Sequence, residues 1–151
     1  MPIPEFNQLS DQEIESLINA PAYVTILIAS ADDKIDKKEK NWAKKLVNYR
    51  SFTSEEMLNT YYEEVNKSFE MALESLEELY NESENGLQAV SQELEKLNPI
   101  LKKLDDSTAA TLLSSWRSLA QKVAEASGGF LGMFSTDNEE KKWIDLPMLE
   151  S

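Results

Sequence analysis

Apolar residues in this chain return every three or four positions, the spacing that collects them on one face of an α-helix. The first such stretch opens at Ser10-Asp11-Gln12-Glu13. This is a capping box, in which the serine side chain takes an orphan backbone N–H and the glutamate reaches back to the cap. It predicts a helix from about Asp11 to Asn19. Pro21 then stands where a first helical turn tolerates it, and Tyr23, Val24, Ile26, Leu27, Ile28 and Ala31 predict a second helix, apolar on most sides and therefore central in the core. A loop from Asp32 to Asp36 leads to a helix from Lys37, with Trp42, Ala43, Leu46 and Val47 as its buried stripe.

Thr53-Ser54-Glu55-Glu56 reads as a second capping box and opens the longest regular pattern. Leu58, Tyr62, Val65, Phe69, Ala72, Leu76 and Leu79 alternate in steps of four and three, with Glu63, Glu64, Glu70, Glu74, Glu77 and Glu78 between them. This predicts one amphipathic helix to about Tyr80. After a break over Asn81 to Gly86, the sequence Leu87, Val90, Leu94, Leu97, Leu101, Leu104 resumes the spacing. Asn98-Pro99 interrupts it, because proline lacks the N–H and clashes with the preceding turn. Residues 54–104 are thus expected to form a long helical hairpin with an acidic outer face and a leucine-rich seam. A helix from Ser107 or Thr108 carries Leu112, Trp116, Leu119, Val123 and Ala126 on one face, and a last one from Asn138 to Leu146 ends before Pro147. The pattern predicts an all-α bundle of seven to eight helices, one domain over residues 1–151.

Composition fits that picture. At 151 residues, with 41% hydrophobic and 28% charged residues and only 4 Gly and 5 Pro, the chain is ordinary for a single helical domain. It has no Cys and no His, which removes disulfides, thiol nucleophiles, imidazole bases and the usual zinc sites. The first residues, Met-Pro-Ile-Pro-Glu-Phe, lack the basic and apolar regions of a secretory signal, so a cytoplasmic location is the expectation. The net charge of −13 is uneven: residues 1–50, 51–100 and 101–151 carry net −1, −10 and −2. Such a chain repels phosphate backbones and anionic lipid, so nucleic acid and membrane are not its expected partners.

Candidate chemistry lies in a motif written twice. Ala29-Ser30-Ala31-Asp32-Asp33-Lys34-Ile35-Asp36-Lys37-Lys38-Glu39 leads to Trp42. Ala124-Glu125-Ala126-Ser127 leads through Phe130 and Asp137-Asn138-Glu139-Glu140 to Trp143. The steps Asp36–Glu39–Trp42 and Asp137–Glu140–Trp143 are the same, which marks an internal pseudo-repeat with a longer second loop. Each Asp and Glu suits a capping box, and each Trp one turn on is expected to anchor its helix in the core. Capping does not account for Asp32 and Asp33. Carboxylates crowded with Asp36 and Glu39 repel unless solvated or bridged by a cation, so these four are the candidate metal ligands. Asp137 and Glu140 are a weaker second set. With few protein oxygens and no EF-hand pattern, the site suits magnesium or weak calcium binding.

The run Ala29-Ser30-Ala31-Asp32-Asp33-Lys34-Ile35 with Glu39, and its degenerate second copy ending Glu139-Glu140, resembles the tellurite-resistance TerB-like domain family. The resemblance covers the two motif regions and hardly touches residues 50–107. It implies an all-helical fold with an internal pseudo-repeat, an acidic surface near both loops, and a role in bacterial stress responses linked to metal ions. Asp33 stands where the family has glycine, and Ser127 where it has aspartate.

Two functions follow as expectations. One is a non-enzymatic TerB-like module that binds a divalent cation or a basic partner protein through its acidic loops. The other is a structural interaction or dimerisation module that uses the 54–104 hairpin, with the acidic motifs as caps. Lys44, Lys45 and the serines are nominal nucleophiles, but no nucleophile elbow, phosphate loop or metalloprotease helix accompanies them. An enzyme is therefore not expected.

Overall fold

The computed structural model describes residues 3–30, 37–53, 55–128 and 145–149. Among these residues all regular structure is helical. It comprises a 3-10 turn, Pro4–Phe6, and six α-helices: α1 Asp11–Ala29, α2 Lys37–Thr53, α3 Glu56–Glu82, α4 Gly86–Glu95, α5 Asn98–Leu101 and α6 Asp106–Gly128. Five of the six have ten residues or more, and α5 is a single turn. The sequence pattern suggests seven to eight helices, and the difference has two sources. Pro21 does not divide α1. Most of the expected last helix lies outside the described residues, and its final positions, Asp145 and Leu146, are not helical.

α1 is the centre of the core and packs against α2, α3, α4 and α6. The predicted capping box starts it: Ser10 Oγ accepts from the Glu13 N–H at 3.1 Å and the Ser10 N–H donates to Glu13 Oε1 at 2.9 Å. Helix α1 then runs through Pro21, which removes the N–H that would bond the carbonyl four residues earlier, on Leu17. The Tyr61 hydroxyl of α3 donates to that carbonyl at 2.6 Å and itself accepts from Trp116 Nε1 of α6 at 3.0 Å. Three helices are stitched together at the one point where α1 lacks a bond of its own. Burial pushes the Tyr61 phenol well above its ordinary value, so it stays protonated as a donor.

Helices α3 and α4 pack against each other as a hairpin, and the single turn α5 follows α4 in the chain. The seam is core, with Tyr62, Val65, Phe69, Leu76, Val90, Leu94, Leu97, Leu101 and Leu104 buried, together with Tyr61 and Leu73. Helix α3 does not start at the second predicted capping box. Thr53 ends α2, Glu55 is the N-cap of α3, and no side chain caps it. The last turn of α2 is held by Arg50, whose guanidinium bonds groups on α3 and α6. At the other reversal Asn85 caps α4 through the Gln88 N–H, and Gly86 sits against Tyr80. Asp105 caps α6 by accepting from the Thr108 N–H at 2.8 Å.

Residues 145–149 return to the bundle. Leu146 and Leu149 are buried, Arg117 Nε donates to the Asp145 carbonyl at 2.8 Å, and Asn98 Nδ2 donates to the Met148 carbonyl at 2.9 Å. Leu146 takes φ 50°, a left-handed conformation that L-residues with large side chains avoid and that its burial here compensates. No helix among the described residues is long and apolar enough to cross a membrane.

Candidate binding surfaces

Helix α2 concentrates positive charge that the rest of the chain lacks. Its seventeen residues hold six Lys or Arg and one acid. Three faces divide the work. Ala43 and Val47 are buried, with Leu46 partly so. A second face runs antiparallel to α3: Lys40 pairs with Glu77, Lys44 Nζ lies 3.2 Å from Glu70 Oε1, and Asn66 Nδ2 donates to Asn48 Oδ1 at 3.1 Å. Part of the acid on α3 therefore faces α2 lysines, where the sequence alone suggests a wholly solvated face. These contacts are exposed or half-exposed, so each contributes little stability, and their clearer effect is to set the register of the two helices.

The third face is open. Lys38, Trp42, Lys45, Tyr49 and Phe52 follow one another at i, i+4, i+7, i+11 and i+14, one stripe of a helix. Trp42 is 43% exposed, Tyr49 62% and Phe52 73%. Trp42 was expected to anchor the core, and it does not. The inward stripe of α2 is set by Glu39, Ala43, Val47 and Arg50, one position further round the helix. Between α2 and α6 this open face borders a groove of about 600 Å³ lined by Lys38, Asn41, Trp42, Lys45, Lys122, Glu125 and Ala126. Three lysines and one glutamate thus flank an indole, and Lys45 and Lys122 have no carboxylate partner among the described residues.

Of the candidate metal ligands, Asp32, Asp33, Asp36, Asp137 and Glu140 lie outside the described residues. Glu39 is described, in the first turn of α2 with its side chain fully buried. The sequence places Glu39 at the N3 position of a capping box and among the candidate ligands. The dipole at a helix N-terminus favours such an acid, which helps to explain how it is accommodated inside. Among the described residues no group of three or more Asp or Glu is arranged to hold a metal ion. Ala29 and Ala124, the first landmarks of the two motif copies, are both buried, near the C-terminal ends of α1 and α6.

The sequence pattern hides the open stripe because Trp42 also fits the apolar stripe of Ala43, Leu46 and Val47. The signal that could have found it is the excess of lysine over acid between Lys37 and Arg50, in a chain otherwise rich in acid. Compared with known proteins, the chain matches no protein-family model, no curated protein and no solved structure.

Proposed function

We propose that this protein is a non-enzymatic helical binding module whose working surface is the open face of α2 and the groove it shares with α6. The observation that carries this reading is the exposed line Trp42, Tyr49, Phe52 interleaved with Lys38 and Lys45. Single exposed aromatics are common on any surface, whereas aromatics aligned on one helix face supply the large, rigid anchors of protein interfaces. Since Lys45 and Lys122 have no carboxylate partner among the described residues and outnumber Glu125 along the groove, the partner is an acidic segment with an apolar or aromatic anchor for the Trp42 side. This reverses the sign expected from the acidic loops.

Fluorescence anisotropy of a labelled acidic amphipathic peptide against a charge-reversed control tests the reading. Binding should favour the acidic peptide, weaken with salt, and be lost in Lys45→Glu/Lys122→Glu. Equal binding of both peptides, or no binding to either, refutes it.

A second reading rests on the buried carboxylate of Glu39 at the start of α2. With Asp32, Asp33 and Asp36 just before it in sequence, we propose that this end of the domain collects a divalent cation or a basic partner, in keeping with the TerB-like resemblance and a stress-response role. Titration with magnesium, calcium or manganese while following the amide signals of residues 32–39 decides it. No perturbation at millimolar metal removes the cation version.

A further inference from the structure

Arg50 makes four side-chain hydrogen bonds, and among the described residues none of its partners carries charge. Nη1 donates to Tyr62 Oη at 3.0 Å and to the Ser115 carbonyl at 3.0 Å, with Ser115 Oγ at 3.3 Å, and Nη2 donates to Ser118 Oγ at 3.0 Å. The guanidinium also lies over the Tyr62 ring, 5.4 Å from its centroid. A guanidinium keeps its charge at all relevant pH, and withdrawing it from water without a counter-charge is unfavourable. Lys40, Lys44, Lys67, Lys96 and Lys103 each pair with a glutamate, yet no carboxylate is paired with half-buried Arg50 among the described residues. In a chain with 28 acids this is a specific arrangement.

The guanidinium borders a pocket of about 450 Å³ between the end of α2, the start of α3 and the outer face of α6. Its α6 wall is a row of hydroxyls, Thr111, Ser114, Ser115 and Ser118, at i, i+3, i+4 and i+7. Ser118 Oγ accepts from Arg50, which leaves its own O–H to donate elsewhere. Leu58 and Ala110 supply an apolar flank, and exposed Glu55 is also part of the lining.

We propose that this pocket is an oxyanion site, in which Arg50 supplies the counter-charge and the hydroxyls of Thr111, Ser114 and Ser118 donate to the bound oxygens. The chemistry fits the phosphate group of a small phosphomonoester. Donors come from two walls, as the divergent oxygens of a tetrahedral anion require, and part of the planar fork that would grip a carboxylate is already engaged by Tyr62, Ser115 and Ser118. The volume exceeds that of free phosphate, and the apolar flank suits a short organic body. Glu55 selects against a second negative group on that body.

The test follows the Arg50 side-chain N–H and backbone amides 111–118 by heteronuclear NMR. The full chain is titrated with inorganic phosphate, with glycerol phosphate, and with sodium chloride at matched ionic strength. Saturable shifts confined to these positions are expected with both phosphates, tighter for the ester. Tighter binding of inorganic phosphate would retain the site and name the free ion as its ligand. Thr111→Val/Ser114→Ala keeps every bond that Arg50 makes and should weaken binding about a hundredfold or more, through loss of two donors to a charged group. Arg50→Gln should abolish binding, and where that variant fails to fold the hydroxyl variant decides. Shifts that chloride reproduces, or affinity unchanged in the hydroxyl variant, overturn the proposal.

Discussion

Tyr61→Phe removes one oxygen and leaves two buried polar groups in difficulty. The Leu17 carbonyl loses the 2.6 Å bond that stands in for the N–H missing at Pro21, and Trp116 Nε1 loses its acceptor at 3.0 Å. Both Tyr61 and Trp116 are fully buried, so water does not replace the lost partner without rearrangement. Leaving a buried donor or acceptor unsatisfied costs about 1–3 kcal/mol each, which puts the substitution at about 2–6 kcal/mol. That is a large share of the roughly 5–15 kcal/mol that holds a domain together. The two contributions separate in a double-mutant cycle. Pro21→Ala restores an N–H aimed at Leu17, so in that background Tyr61→Phe orphans only the indole. Urea unfolding followed by circular dichroism should give a coupling of about 1–2 kcal/mol between positions 21 and 61. Any gain or loss from proline itself appears in both arms and cancels. Additivity within about 0.5 kcal/mol would show that Tyr61 is not the surrogate donor for α1.

Three further outcomes follow from the packing and the charges. Trp116→Ala should cost about 3–5 kcal/mol as a core truncation, while Trp42→Ala should cost below about 1 kcal/mol, because much of that side chain is already in water. Equal losses in denaturant midpoints would contradict the two burials. Gly86→Ala should destabilise by about 1–3 kcal/mol, since a Cβ there would lie 2.5 Å from the Tyr80 carbonyl oxygen and nearer still to its ring. Helix propensity taken alone predicts the opposite sign. Asp105 is held below its ordinary value of 3.8, first by the Thr108 N–H, and Glu13 below 4.5, first by its bond to Lys103. A carboxyl lowered by folding contributes stability that is complete above its ordinary value and is lost as pH falls through the folded value, so both caps weaken in acid. Asp105→Asn keeps a capping oxygen without the titration. Its thermal midpoint should fall less between neutral pH and pH about 3 than the parent's, and parallel profiles would exclude Asp105 as a source of acid sensitivity.

The sequence by itself determined the helical class, the capping box at Ser10, the long amphipathic stripe of α3, the interruption at Asn98-Pro99 and the burial of the hairpin seam. Each of these depends on residues three or four positions apart, whose side chains meet whatever the rest of the chain does. Tertiary structure decided the rest. Pro21 signals a boundary locally, and α1 continues because a hydroxyl 44 residues away in the chain reaches the Leu17 carbonyl. On α2, Trp42 and Ala43 both fit an apolar stripe. The packing of α2 against α1, α3 and α6 turned Ala43 inward and left Trp42 beside the lysines. Arg50 reads as an ordinary basic residue near a helix end, yet Ser115 and Ser118, which hold it, are 65 and 68 positions further along the chain. Periodicity specifies which faces are apolar. Which neighbours those faces meet, and which charges are left to bind something else, follows from how the helices cross.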